Sequence, residues 1–226
     1  MQSKVKLSKR QIKEDKFTSF MLNAKDRFLE NWQYWVISAV VVALVVVAVS
    51  YYATSQSNKE REASARYSTA VLEFRNGQSD IAILSLQQVV DNYGSTTIAE
   101  QARFMLGTIN FEERNYAEAI THFEKYLERF KNNKLNRAGA HAGLAACYEN
   151  QGDYEQAAAN FEEAVNVYAD GPLAGDYMVG AMRCYLYLGN VEKARGFRDR
   201  IADEFPQTEL ANRAERLFTE MSAAAG

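Results

Sequence analysis

The chain has 226 residues, 47% hydrophobic and 24% charged, with only two prolines; so few prolines point to an all-α protein, because sheet- and loop-rich domains use more. Its formal net charge of -3 is uneven: residues 1–34 carry eight Lys or Arg and four Asp or Glu, a balance of +4, which leaves -7 for the remainder. An acidic main domain excludes nucleic acid as the expected partner, and two cysteines, Cys147 and Cys184, are too few for a disulfide framework and have no metal-ligand spacing.

Residues 1–34 form a basic arm. Ser8 with Gln11 resembles a capping box, so a helix is expected from near Lys9. Ile12, Phe17, Phe20, Ala24, Phe28 and Trp32 follow at near-helical spacing, with Lys13, Lys16, Lys25 and Arg27 off that stripe. Two readings stay open: a basic amphipathic helix lying on an anionic inner leaflet, or a solvated tail.

Residues 35–52, WVISAVVVALVVVAVSYY, contain no charge, proline or glycine. A helix needs about 20 apolar residues to cross a bilayer core, and Tyr34 and Ala53 extend the run at its ends. Trp32, Tyr34 and Trp35 at one end and Tyr51 and Tyr52 at the other read as interfacial aromatic belts. The run is longer than the roughly 7–15 residues of a signal-peptide core, so an uncleaved anchor is expected. The excess of Lys and Arg before it places the amino terminus in the cytoplasm, although Lys59, Arg61 and Arg66 follow the run closely.

Residues 54–62, TSQSNKERE, read as a short polar linker. From Ala63 the chain repeats. Leu144, Tyr148, Gly152-Asp153-Tyr154, Ala157 and Phe161 are matched by Leu106-Gly107, Asn115-Tyr116, Ala119 and Phe123, and by Ala181, Tyr185, Gly189-Asn190 and Ala194. Ala82, Ala119, Ala157 and Ala194 are 37, 38 and 37 residues apart. Small residues at this period let paired antiparallel helices approach closely. A glycine before each second helix permits a left-handed turn. One such pair cannot bury its apolar face alone, so stacking is required. The segments 93–106 and 205–218 are alike, each with a polar N-cap candidate (Ser95 or Thr208) before alternating alanines and charges. The second is expected to open a cap helix over 210–221, with Arg213, Glu215, Arg216 and Glu220 facing water.

The series over about residues 63–205 resembles the tetratricopeptide repeat, with a period slightly above that family's usual 34. It departs at Arg198, where an aromatic is expected, and in the first repeat, where Tyr67, Ala70, Val71 and Phe74 fit the first helix better with a shift of one residue. The expected fold is all-α: a single transmembrane helix, then a tetratricopeptide-like α-solenoid of about four helix pairs and a C-terminal cap helix. The corresponding domains are a cytoplasmic arm (1–34), a transmembrane helix (35–53), a linker (54–62) and the repeats (63–226).

The sequence lacks a Walker loop, a dinucleotide glycine motif, H-E-x-x-H and G-x-S-x-G. The two histidines, His122 and His141, have no cysteine or carboxylate cluster beside them. No enzymatic activity, cofactor, metal or small-molecule substrate is expected. The resemblance implies a protein that binds peptides or proteins on the concave surface lined by first helices. The candidate groove comprises Ala142, Ala146, Asn150, Arg183, Leu186 and Tyr187, with Asn150 available to a ligand backbone and Arg183 to a carboxylate. Leu186 and Tyr187 are apolar where solvent is expected; the alternative is that they pack under the cap helix.

The layout is similar to the YfgM-like family of ancillary subunits of the bacterial SecYEG translocon. That similarity implies a single-pass inner-membrane protein with a periplasmic repeat domain, serving secretion or the hand-over of emerging proteins to chaperones. The alternatives are a scaffold for envelope assembly or cell division, and a membrane-anchored regulator. Cys147 and Cys184 occupy equivalent positions on neighbouring helices whose axes are about 8–10 Å apart, too far for a disulfide, so two buried free thiols are expected.

Overall fold

The computed structural model describes residues 18–22, 24 and 31–224. Residues 18–22 and Ala24 are helical and Trp32 opens a further helix; the rest of the amphipathic arm reading, including the Ser8–Gln11 capping box, lies outside the described residues. Among the described residues no strand occurs. The helices are α1 (Trp32–Arg75), α2 (Ser79–Asn92), α3 (Thr97–Glu112), α4 (Tyr116–Arg129), α5 (Lys134–Gln151), α6 (Tyr154–Val167), α7 (Ala174–Tyr187), α8 (Val191–Glu204) and α9 (Glu209–Ala224). The chain divides into two compact units, Met1–Ser57 and Asn58–Gly226.

In the first unit the apolar run is uninterrupted helix within α1. None of this stretch is buried. Val36, Ile37, Leu44, Val45 and Val49 are all at least half exposed, unlike the residues of a core helix. This is the one helix among the described residues long and apolar enough to cross a membrane. Residues 54–62, read from sequence as a polar linker, are helical and continuous with both neighbours. Helix α1 therefore runs for 44 residues.

The second unit is a stack of helix pairs: the end of α1 with α2, then α3 with α4, α5 with α6, α7 with α8, and α9 as a cap. Ala82, Ala119, Ala157 and Ala194 are fully buried on the second helices, as their period requires. In the first repeat Ala63 and Ala70 are buried and Tyr67 and Phe74 half-buried, which fixes its register. Three apolar clusters follow one another along the stack. The first spans α1–α3, the next centres on Phe123 and Tyr126, and the last joins α5–α8 to Ala214 and Phe218 of α9. Each repeat thus buries its face only against its neighbours.

The turn inside each pair is the same device four times. The N–H groups of Gln78, Asn115, Asp153 and Asn190 donate to the carbonyls of Glu73, Asn110, Tyr148 and Tyr185, each at 2.8–2.9 Å. These six-to-one bonds belong to Schellman turns, which need a left-handed residue just before the donor. Gly77, Gly152 and Gly189 supply it with φ of 77°, 80° and 71°. In the second repeat the place is taken by Arg114, at φ 61°, so the expected glycine is absent there and the turn forms nonetheless. An acidic residue then sits in the first turn of every second helix (Asp80, Glu118, Glu155, Glu192), where it complements the positive end of the helix dipole.

Helix α3 is capped by Thr96, not Ser95: its Oγ1 accepts from Ala99 N at 3.1 Å and donates to Tyr93 O at 2.6 Å. Thr208 repeats both bonds, with Ala211 N at 3.2 Å and Phe205 O at 2.7 Å. The likeness of the two segments is therefore a shared cap one residue further along than Ser95. The outer face of α9 is charged, with Arg213, Glu215, Arg216 and Glu220 all exposed. Arg198, at the position expected to be aromatic, lays its guanidinium over the Phe218 ring at 4.5 Å. The cap helix thus supplies the ring that the repeat lacks.

Candidate functional site

The first helices α3, α5 and α7, with α9, line one face of the stack. On it a cleft of about 540 Å³ opens between α5, α7 and α9, with Phe161 of α6 behind it. Its walls include Ala142, Phe161, Val179, Gly180 and Leu217. Glycine at 180 is dictated by packing: an added Cβ would come within 2.7 Å of the Phe161 ring. The same arrangement precedes it in the stack, where Phe123 is seated between Gly107 and Gly143.

Two ion pairs border the cleft. Arg183 donates from Nε to Glu149 Oε1 at 2.5 Å and from Nη2 to Oε2 at 2.7 Å. Both side chains are partly buried, and the paired carboxylate holds the Arg183 guanidinium above its ordinary pKa. Arg213 on α9 donates to Asp176 on α7 at 2.5 Å between two half-exposed side chains.

Of the sequence-derived groove residues, Ala142 and Arg183 line the cleft and Ala146 is partly accessible on α5. Asn150 is exposed but engaged: its Nδ2 donates to Ala146 O at 2.8 Å, and its Oδ1 accepts from Tyr116 OH at 3.1 Å. Tyr187 is 53% exposed and stacks on Tyr154 with ring centroids 4.5 Å apart. Leu186 must be corrected: it is 4% exposed and belongs to the core cluster that includes Ala214 and Phe218 of the cap helix. The carboxylate expected from a ligand of Arg183 is present within the chain as Glu149. Sequence reasoning missed this pair, and Asp176 with Arg213. The available signal was charge opposition at about one repeat's separation between first helices.

Cys147 and Cys184 are free and buried; burial pushes their thiols up to about 11 and about 12. Among the described residues no group of three or more His, Cys, Asp or Glu side chains could hold a metal.

A stack of paired helices closed by a polar cap, with a first-helix face bearing a small apolar cleft, defines an α-solenoid. Within that class the chain belongs to the tetratricopeptide repeat-like domain family, whose model matches residues 25–171 and so takes in the apolar run together with the repeats. A second tetratricopeptide repeat model matches residues 137–208. Domains of this family generally mediate protein–protein interactions and are typically not enzymes. Among curated proteins the chain has no match. Among solved structures it is similar to the TPR-like repeats of a putative kinesin light chain from Podosopora anserina, with 17% identity, a TM-score of 0.60, and 74% of this chain and 87% of that one covered. It is also similar to a tetratricopeptide repeat protein from Parabacteroides merdae, with 16% identity, a TM-score of 0.61, and coverage of 73% and 61%. At these identities the likeness is one of fold.

Proposed function

We propose that this protein is a membrane-anchored interaction scaffold of the bacterial cell envelope. Helix α1 anchors it in the inner membrane, with the amino terminus cytoplasmic and the repeats in the periplasm. The observation that carries this reading is the uncovered apolar half of α1, whose helix continues without a break into the first repeat. The family model supports it by spanning both parts, and so does the charge imbalance across the run.

The partners are proteins or peptides met at the membrane: the translocon, periplasmic chaperones or emerging clients. The contact surface is the first-helix face around Ala142, Ala146, Arg183 and Tyr187. Because Arg183 and Arg213 are both neutralised internally, the cleft favours an uncharged apolar side chain over a carboxylate. In-membrane crosslinking tests the scheme. Arg183→Ala combined with Tyr187→Ala should deplete the main crosslinked partners, whereas replacing residues 1–53 by an unrelated anchor should leave them. An unchanged profile in the double variant, together with loss on anchor exchange, would show that the span and not the groove is the recognition element.

A further inference from the structure

Repeat two holds a cationic notch away from the cleft. Position 103 on α3 and position 122 on α4 each lie 38 residues before His141 and Asn160. In the third repeat His141 Nδ1 and Asn160 Oδ1 are 3.3 Å apart, so these two positions face each other across a helix pair. In the second repeat the facing residues are Arg103 and His122, both half-buried. His122 Nδ1 is buried with no hydrogen-bond partner. Among the described residues Arg103 makes no ion pair and no side-chain hydrogen bond, unlike Arg129, which donates to Gly94 O at 2.6 Å. Buried ring nitrogens are ordinarily hydrogen-bonded, and an orphan such as His122 Nδ1 often marks an ion or water position.

We infer that Arg103 and His122 form a binding site for a small oxyanion, a carboxylate or a phosphate, set between α3 and α4. The guanidinium offers a planar fork suited to two oxygens, and the imidazole, once protonated, offers N–H donors on both nitrogens. The surroundings fit that chemistry. Burial, then Arg103 and Lys125, push His122 down to about 4, with Glu118 opposing. Burial and the neighbouring Arg129 push Arg103 down, with Asp91 opposing. A bound anion would reverse the repulsion between Arg103 and a protonated His122, so anion binding and proton uptake are linked and binding tightens as pH falls below neutral.

The chain has two histidines, so imidazole NMR of the full chain in non-ionic detergent reads the site directly, with His141 as an internal control. The probes are inorganic phosphate, acetate and the tripeptide Gly-Glu-Gly, against chloride at matched ionic strength. Phosphate should raise the His122 pKa by about one unit or more, the effect of an opposite charge within a few ångströms, and leave His141 unmoved. A response to phosphate alone assigns a free oxyanion; an equal response to acetate and the peptide assigns a carboxylate that a protein can supply. Arg103→Gln should abolish the His122 response and Arg103→Lys should weaken it, with an unchanged His141 resonance reporting that each variant is folded. Equal movement of both histidines, no movement of His122, or a response that survives Arg103→Gln would overturn the site and leave an internal water as the occupant.

Discussion

At Arg114 the backbone does something that its side chain disfavours. An L-residue in the left-handed region costs about 1–2 kcal/mol, and the equivalent turns use Gly77, Gly152 and Gly189. Arg114→Gly removes that strain but lets the unfolded chain gain entropy. A net stabilisation of about 0.5–1 kcal/mol is expected, a melting-point rise of about 1–4 °C for a domain of this size, read by thermal unfolding. Gly196 is the converse case: it lies exposed inside α8, and a Cβ there would meet nothing within 4 Å. Gly196→Ala should therefore stabilise by about 0.5–1 kcal/mol. His122 makes stability depend on pH. Its folded pKa of about 4 lies below the ordinary 6.5, so between those values the unfolded chain binds the extra proton. Stability is retained above pH 6.5 and lost progressively as pH falls toward 4, and His122→Gln should flatten that part of a stability–pH profile measured by urea unfolding. The two thiols were legible from sequence, because equivalent first-helix positions place them in successive layers. The pair between Arg183 and Glu149 was not, since a single sequence shows which residues are charged but not which ones face each other across neighbouring helices.

At the scale of the helix, closeness of approach is what the sequence encodes. The alanines at 82, 119, 157 and 194 announced the second helices, and all four are fully buried. The glycines opposite them have a sharper purpose than a small-residue pattern discloses. A Cβ at either Gly107 or Gly143 would lie 2.6 Å from the Phe123 ring, so one ring needs two glycines on two different helices. Gly143→Ala should cost about 1–3 kcal/mol through overpacking, seen as a lower urea midpoint with an unchanged slope. A smaller ring-site residue in the same chain, Phe123→Leu, should recover part of that loss. Helix ends were less legible than helix faces. Ser95 and Thr96 are chemically equivalent cap candidates, and only the geometry of the Tyr93–Thr96 turn selects the second. The stretch 54–62 read as linker because it is polar, yet Glu60 within it accepts hydrogen bonds from the Thr97 backbone N–H at 3.1 and 3.2 Å and from its hydroxyl. A carboxylate at the start of α3 is favourable, and the polarity that looked like solvent exposure is partly a contact between repeats.

For the whole molecule the proposed anchor turns on which side of a membrane the repeats would occupy. In the proposed anchor the helical residues that follow the apolar run, through Arg75, would lie beyond a hydrocarbon core that about 20 residues cross, whichever way the span is oriented. Orientation then rests on Lys and Arg counted near the ends of the span, not on net charge. The short arm before the run carries eight Lys or Arg, three of them (Lys16, Lys25 and Arg27) within about 20 residues of it, against Lys59, Arg61 and Arg66 just after it, so the excess lies in the arm as a whole. Two of the nearby acidic residues, Glu60 and Glu62, are committed to structure, Glu62 to Arg66 at 3.3 Å and Glu60 to α3. They add little to the orientation signal, since carboxylates weigh lightly in it. The amino terminus is therefore expected inside and the acidic repeats outside. Protease added to intact spheroplasts should digest the repeat domain, while an epitope placed before Met1 remains detectable until detergent is added. Detergent-free survival of the repeats with loss of the epitope would reverse the orientation and remove the periplasmic scaffold, because a cytoplasmic repeat domain could not meet clients as they emerge from the membrane.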